Sequence, residues 1–188
     1  FGTDDVGSFG TTASVALPFE RDSGEWLMRG GLGFRDTAGD PLARDVHEPI
    51  ESDRDLRQNT DAQNVDGFAA LRYQSTAGAW FAFSGSSFRE ERGVAAELGV
   101  PDEDARLWRY PHVSRTLTIL SGGTGFHRSP LGGTGDVEMS LGLDRGRTEI
   151  DAYTTRLYDE RDGFERGRDQ TRSLRLLADQ TLGPRGDL

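Results

Sequence analysis

Cysteine and lysine are both absent from the 188 residues. Without Cys there is no disulfide framework and no thiolate zinc site. All 22 basic residues are therefore Arg, set against 32 acidic residues, for a formal net charge of -10. That sign argues against nucleic-acid binding, which needs a basic face to neutralise phosphates. No run of about 18 apolar residues occurs, so a transmembrane helix is excluded. Apolar residues make up only 34%, a fraction that by itself leans toward disorder. What is plentiful is Gly, at 25 against 7 Pro, which fits turns and thin strands better than a flexible linker. The sequence begins at Phe1 without a Met or a leader-like segment, and we expect it to be an excerpt of a longer protein.

Pattern decides what composition leaves open. The dominant period is two, the mark of strands with unlike faces. Phe9, Thr11, Ala13, Val15, Leu17 and Phe19 form one such series. Trp26, Met28, Gly30, Leu32 and Phe34 form a second, and Val65, Gly67, Ala69, Leu71 and Tyr73 a third. Val137, Met139, Leu141 and Leu143 form another, with Thr148, Ile150 and Ala152 resuming the alternation after Asp144-Arg145-Gly146-Arg147. Leu174, Leu176, Ala178 and Leu182 form the last. Segments 79–92 and 112–121 alternate less cleanly, with Phe81 and Phe83 opposite Trp80. The expectation is all-β: an antiparallel meander of about seven strands. Residues 94–107 hold Ala95, Ala96, Leu98 and Leu107, but Gly99 and Pro101 limit them to a turn of helix at most.

The connections alternate in length. Short turns are predicted at 20–25, 74–78 and 183–186, with a longer Gly-rich one at 122–135. Long loops are predicted at 36–64, 93–111 and 153–169. Loops beyond about 12–15 residues are uncommon in compact domains. Placing every long loop at one end and every short turn at the other is the layout of an outer-membrane β-barrel. In such a barrel the apolar face meets lipid and the polar face lines a wet lumen. Aromatics near strand ends (Phe9, Phe19, Trp26, Tyr73, Trp80, Phe88, Tyr153) suit interfacial girdles.

One stretch carries a family likeness. Arg92-Gly93-Val94 leads through Pro101 to Asp104-Ala105-Arg106-Leu107-Trp108-Arg109-Tyr110-Pro111. This resembles the barrel region of TonB-dependent outer-membrane receptors, where a rising strand ends in a basic-Gly-hydrophobic turn and the loop closes on an Arg-x-Trp-Arg-aromatic-Pro run. The Pro pair frequent after that Gly is replaced here by Ala95-Ala96, and no plug or closing C-terminal strand is present in the sequence. The resemblance implies a partial barrel, residues 1–188, of an active importer in a Gram-negative outer membrane. It implies outer-membrane lipid and lipopolysaccharide as surroundings, and TonB reached through a plug. The cargo would be a small molecule or metal chelate: a ferric siderophore, cobalamin or a glycan. Trp108, Arg109 and Tyr110 are then the candidate ligand-facing residues, with loop anchoring as their plainer role.

Other constellations are weak. His47, His112 and His127 share no metal-ligand spacing, and no Gly-x-Ser-x-Gly elbow occurs. We expect no catalytic residue, no metal site and no cofactor. Gly122-Gly123-Thr124-Gly125 and Gly132-Gly133-Thr134-Gly135 lack the Lys-Ser/Thr and helix of a phosphate loop, and read as turns. Carboxylates crowd the loops (Asp36, Asp40, Asp45, Glu48, Glu51, Asp53, Asp55 and Asp61; Glu97, Asp102, Glu103 and Asp104). Arg44, Arg54 and Arg57 among them favour self-paired loops over a calcium site. An outer-membrane barrel enzyme and a soluble all-β binding domain are the alternative readings.

Overall fold

The computed structural model describes residues 2–4, 7–43, 55–130 and 132–182. It contains nine strands and, among the described residues, no helix. These are β1 (Gly2–Thr3), β2 (Phe9–Arg21), β3 (Gly24–Thr37), β4 (Ala62–Ser75), β5 (Trp80–Gly93), β6 (Trp108–Gly123), β7 (His127–Arg128), β8 (Thr134–Tyr153) and β9 (Arg161–Thr181). All lie in one antiparallel sheet. Strands β2 to β6 pair in chain order, β6 pairs β8, and β8 pairs β9. Of the two short strands, β1 adds to the outer edge of β2, and β7 pairs the start of β8 on the side that β6 occupies, so that β9 forms the far edge. The seven long strands are those the alternation predicts, and β8 runs unbroken through Asp144–Arg147.

Short connections gather at one end of the sheet: Asp22-Ser23, Thr76 to Ala79, and the Gly-rich stretch 124–133. Gly125, Gly132 and Gly133 have positive φ there, as tight turns require. The predicted turn at 183–186 lies outside the described residues. The described residues of connections 38–61, 94–107 and 154–160 gather at the other end.

Three predicted boundaries need correction. The last long loop is not 153–169: β9 starts at Arg161. Arg161-Asp162-Gly163 through Asp169 carries almost no apolar signal, and its strand exists because it pairs with the end of β8, with one register shift at Asp162. The first long loop shrinks to 38–61, because β3 runs to Thr37 and β4 begins at Ala62. Trp108 to Pro111 belong to β6 rather than to the loop before it. Pro111 is accommodated by a bulge: Glu90 pairs Val113 and Arg92 pairs Tyr110, so Pro111 and His112 together face Glu91. A bulge is where a missing strand N–H is tolerated.

The register assigns every strand residue to one of two faces. The row Leu17, Met28, Leu71, Phe83, Leu120, Leu141, Leu174 crosses all seven long strands on one face. The next row toward the short turns is Phe19, Trp26, Tyr73, Phe81, Gly122, Met139, Leu176. Its aromatics touch in series: Phe19 stacks on Trp26 at 5.9 Å, Trp26 meets Tyr73 at 4.5 Å, and Tyr73 meets Phe81 at 5.5 Å. The Tyr73 hydroxyl donates to the Ser23 carbonyl at 2.7 Å, tying the row to the first turn. Of the predicted girdle residues, Trp80 and Phe88 fall on the opposite, polar face, and Tyr153 joins Tyr158 at the loop end.

The apolar band is oblique to these rows. The row through Gly30 meets Ala69, Gly85, Thr118, Leu143 and Arg172. The apolar run of β3 centres on Gly30, but that of β9 centres near Ala178, about six positions further toward the turns. With ~3.3 Å per residue and ~4.8 Å per strand, strands crossing a level band would incline to its normal by roughly 35–40°.

The sheet body has no buried core. Among the described residues the buried hydrophobic side chains are Leu56, Ala96 and Leu107, all in the long connections. Along the strands Leu32 is 72% exposed and Leu176 64%.

Candidate functional site

The long connections form a fastened cluster at one end of the sheet. Its centre is Arg109, second residue of β6 and part of the sequence run singled out above. Its guanidinium grips Asp61 with two parallel bonds, 2.8 and 2.6 Å, and donates to Asn59 Oδ1 at 2.8 Å. Asn59 in turn donates to the carbonyls of Val94 and Trp108 at 2.7 and 2.8 Å. One amide thus joins the first long connection to both ends of the second. Asn59 has φ 53°, the left-handed region that Asn tolerates better than most residues. Gly93 is required beside it, because a Cβ there would collide with the Asn59 backbone carbonyl.

Arg156 fastens the third connection. It is 4% exposed. Its side chain donates to Asp102 at 2.8 Å and to the carbonyls of Glu97 and Val100 at 2.9 and 2.7 Å. Leu107, 2% exposed, lies in the same cluster, and its carbonyl accepts from the Tyr153 N–H at 2.9 Å. Within the second connection Glu97 accepts from the Arg106 backbone N–H at 2.9 Å and pairs with its side chain. Residues 101–105 make a hydrogen-bonded turn, not a packing helix.

These pairings set the local ionisation. The Arg106 backbone N–H, then its side chain, hold the Glu97 carboxyl down at about 2. Hydrogen bonds from Arg109 lower Asp61 against an opposing desolvation effect. Of the described loop acids, Asp61 pairs with Arg109, Glu97 with Arg106 and Asp102 with Arg156. Among the described residues no cluster of three metal-ligating side chains occurs.

The polar face offers a second feature. At the loop ends of β2 to β5 it forms an open hollow of about 450 Å³, lined by Thr12, Gly33, Arg35, Asn64, Asp66 and Glu90 among others. Gly33 keeps the floor low, and the Asp66 carboxylate lies across the place its Cβ would occupy. Further along the same face Arg115 chelates Asp144, at 2.8 and 2.5 Å.

The sequence candidates separate as follows. Arg109 binds within the protein, Tyr110 lies under the Arg92 guanidinium at 5.0 Å, and the Trp108 carbonyl accepts from Asn59 and Val94. His112 shares a hydrogen bond with Ser114 at 2.9 Å, and His127 lies exposed in β7. His47, with Glu48, lies outside the described residues. Asn59 and Arg156, which tie the connections together, were not singled out by the sequence. The one available signal was Asn59 itself, a residue type suited to positive φ in a loop.

No family model, curated protein or solved structure matches the chain.

Proposed function

We propose that this chain is part of the wall of an outer-membrane β-barrel, and that the barrel is a TonB-dependent receptor importing a scarce ligand. The observation that carries the barrel reading is the oblique apolar band. A sheet that packed on a soluble core would cover one face; here an apolar face crosses seven strands uncovered. Membrane barrels tilt their strands by about 35–45°, close to the inclination a level band demands here. Strands of 13 to 21 residues exceed the ~9–11 needed to cross a bilayer, leaving β8 and β9 to project beyond it. The aromatic row Phe19, Trp26, Tyr73, Phe81 sits at one margin of the band, where girdles lie.

The receptor reading rests on the Arg92-to-Pro111 resemblance, supported by what those residues do. Arg109 and the backbone around Gly93 and Trp108 organise the loop end, leaving the hollow at Arg35, Asn64, Asp66 and Glu90 open on the lumen-facing side. That hollow and the outer surface of the loops are the proposed ligand surface, with Arg109 a positioning residue. The test is made in the source bacterium with the full-length protein. Deletion of its gene should abolish uptake of one scarce ligand, and deletion of TonB should abolish the same uptake. Uptake that persists without TonB, or a protein recovered in the soluble fraction, contradicts the proposal.

A further inference from the structure

The apolar face changes character at its loop-side margin, and only in the β5–β9 half. The hydrogen-bonded row there reads Arg89, Ser114, Arg147, Arg168 on four adjacent strands. The next row toward the turns reads Ser87, Thr116, Arg145, Gln170. Arg172 follows, directly opposite Leu143. Arg147 and Arg168 face each other across the strand pair, an arrangement of like charges that weakens a sheet unless an anion lies between them. Glu149, one row further toward the loops, is already engaged by Arg147 and has Arg166 at 3.8 Å. Among the described residues no carboxylate pairs with Arg89, Arg145 or Arg168.

Immediately below these cations, on the same face, lie Leu120, Leu141, Leu174 and Leu176, all exposed. The surface is therefore amphipathic along one line: guanidinium and hydroxyl groups above, bare leucines below. Because the chain has no Lys, the choice of Arg carries no weight; the position does. A free anion would satisfy the upper half and leave the leucines in water. An amphiphile carrying phosphate above acyl chains satisfies both.

We infer that the Arg89–Arg145–Arg147–Arg168 patch binds the phosphate groups of a phosphorylated, acylated lipid whose chains lie on the leucines of β6, β8 and β9. Guanidinium forks bind phosphate through charge-assisted, frequently bidentate hydrogen bonds. The inference rests on the membrane-barrel reading and adds to it a specific lipid site on one flank of the wall, on the long-loop side.

The test uses the full-length protein folded into neutral dodecyl maltoside micelles. Purified lipid A and dephosphorylated lipid A are titrated in, and bound lipid is counted by native mass spectrometry. The wild-type protein should prefer the phosphorylated form by about tenfold or more. The Arg145→Gln/Arg147→Gln/Arg168→Gln variant should lose that preference. Arg175→Gln, an exposed cation on the polar face of β9, should keep it, and inorganic phosphate should not displace the lipid. A triple variant that still discriminates overturns the inference, as does equal loss in Arg175→Gln or displacement by inorganic phosphate. The triple variant must show the wild-type heat-modifiable band; if it does not, Arg168→Gln alone is used and should reduce the preference. If the wild-type protein does not enter micelles at all, the barrel reading falls and the lipid site with it.

Discussion

Leu107 and Leu32 are the same residue type in opposite circumstances. At the loop end Leu107 is 2% exposed, inside a cluster closed by Arg156, Asn59 and Arg109. In the sheet Leu32 is 72% exposed, on a face that no other element covers. The loop end has a small core of its own, with buried apolar groups and the Arg156 and Asn59 side chains hydrogen-bonded around them. The sheet body is paired strand to neighbouring strand by its backbone, but no other described element packs against its apolar face. Under the proposed membrane-barrel reading, the two regions would meet different solvents: the loop end would carry its own small core into water, and the sheet would set its uncovered apolar face against lipid.

The largest effect should come from charging that face. Leu71→Arg in the middle of the band should cost about 2–4 kcal/mol of stability in the bilayer, whereas Ala70→Arg on the opposite face should cost under about 1 kcal/mol. Denaturant titration of the full-length protein in lipid vesicles checks it. Equal costs would erase the distinction between the faces.

Next is the loop end. Arg156→Ala removes a buried cation and strands the carbonyls of Glu97 and Val100, so it should destabilise the cluster by about 3 kcal/mol. Amide exchange should quicken across 94–107 and 154–160 while β3 and β4 keep their protection. Gly93→Ala should loosen the Asn59 contact by about 1–3 kcal/mol, read the same way.

The smallest effect is with pH. Asp61 and Glu97 are both lowered in the folded protein, so their contribution is full above the unfolded carboxylate range and is lost as pH falls. For Glu97 the window runs from about 4.5 down to about 2. Exchange at 97–106 should rise through that window, and Glu97→Gln should flatten the rise. A sheet that loosened over the same window would show that the two regions are not independent.

The sheet was legible in the sequence because period two survives wherever one face is apolar. Phe9 to Phe19, Trp26 to Phe34, Val65 to Tyr73 and Val137 to Leu143 all fall in strands that pair as a meander. The start of β9 was illegible because both of its faces are polar; only its pairing with β8 makes Arg161 to Asp169 a strand. The loop end was half legible. The run Trp108-Arg109-Tyr110-Pro111 stood out as a junction, and Arg109 proves central to it. Its partners Asn59 and Asp61 lie 50 and 48 residues away, and no local pattern announces such a contact. Arg156 was hidden among 22 arginines, since only the fold distinguishes a buried one.

These 188 residues contain no Cys, so with any Cys elsewhere in the full-length protein replaced the central claim becomes directly measurable. Single substitutions Ala69→Cys, Ala70→Cys, Leu71→Cys and Arg72→Cys walk along β4 through the band. In the full-length protein in native outer membranes, a water-soluble maleimide should label Ala70→Cys and Arg72→Cys and spare Ala69→Cys and Leu71→Cys. A lipid-borne quencher should dim fluorophores placed at Ala69 and Leu71 and leave the other two bright. Equal labelling at all four positions, or labelling confined to Ala69→Cys and Leu71→Cys, would contradict the account.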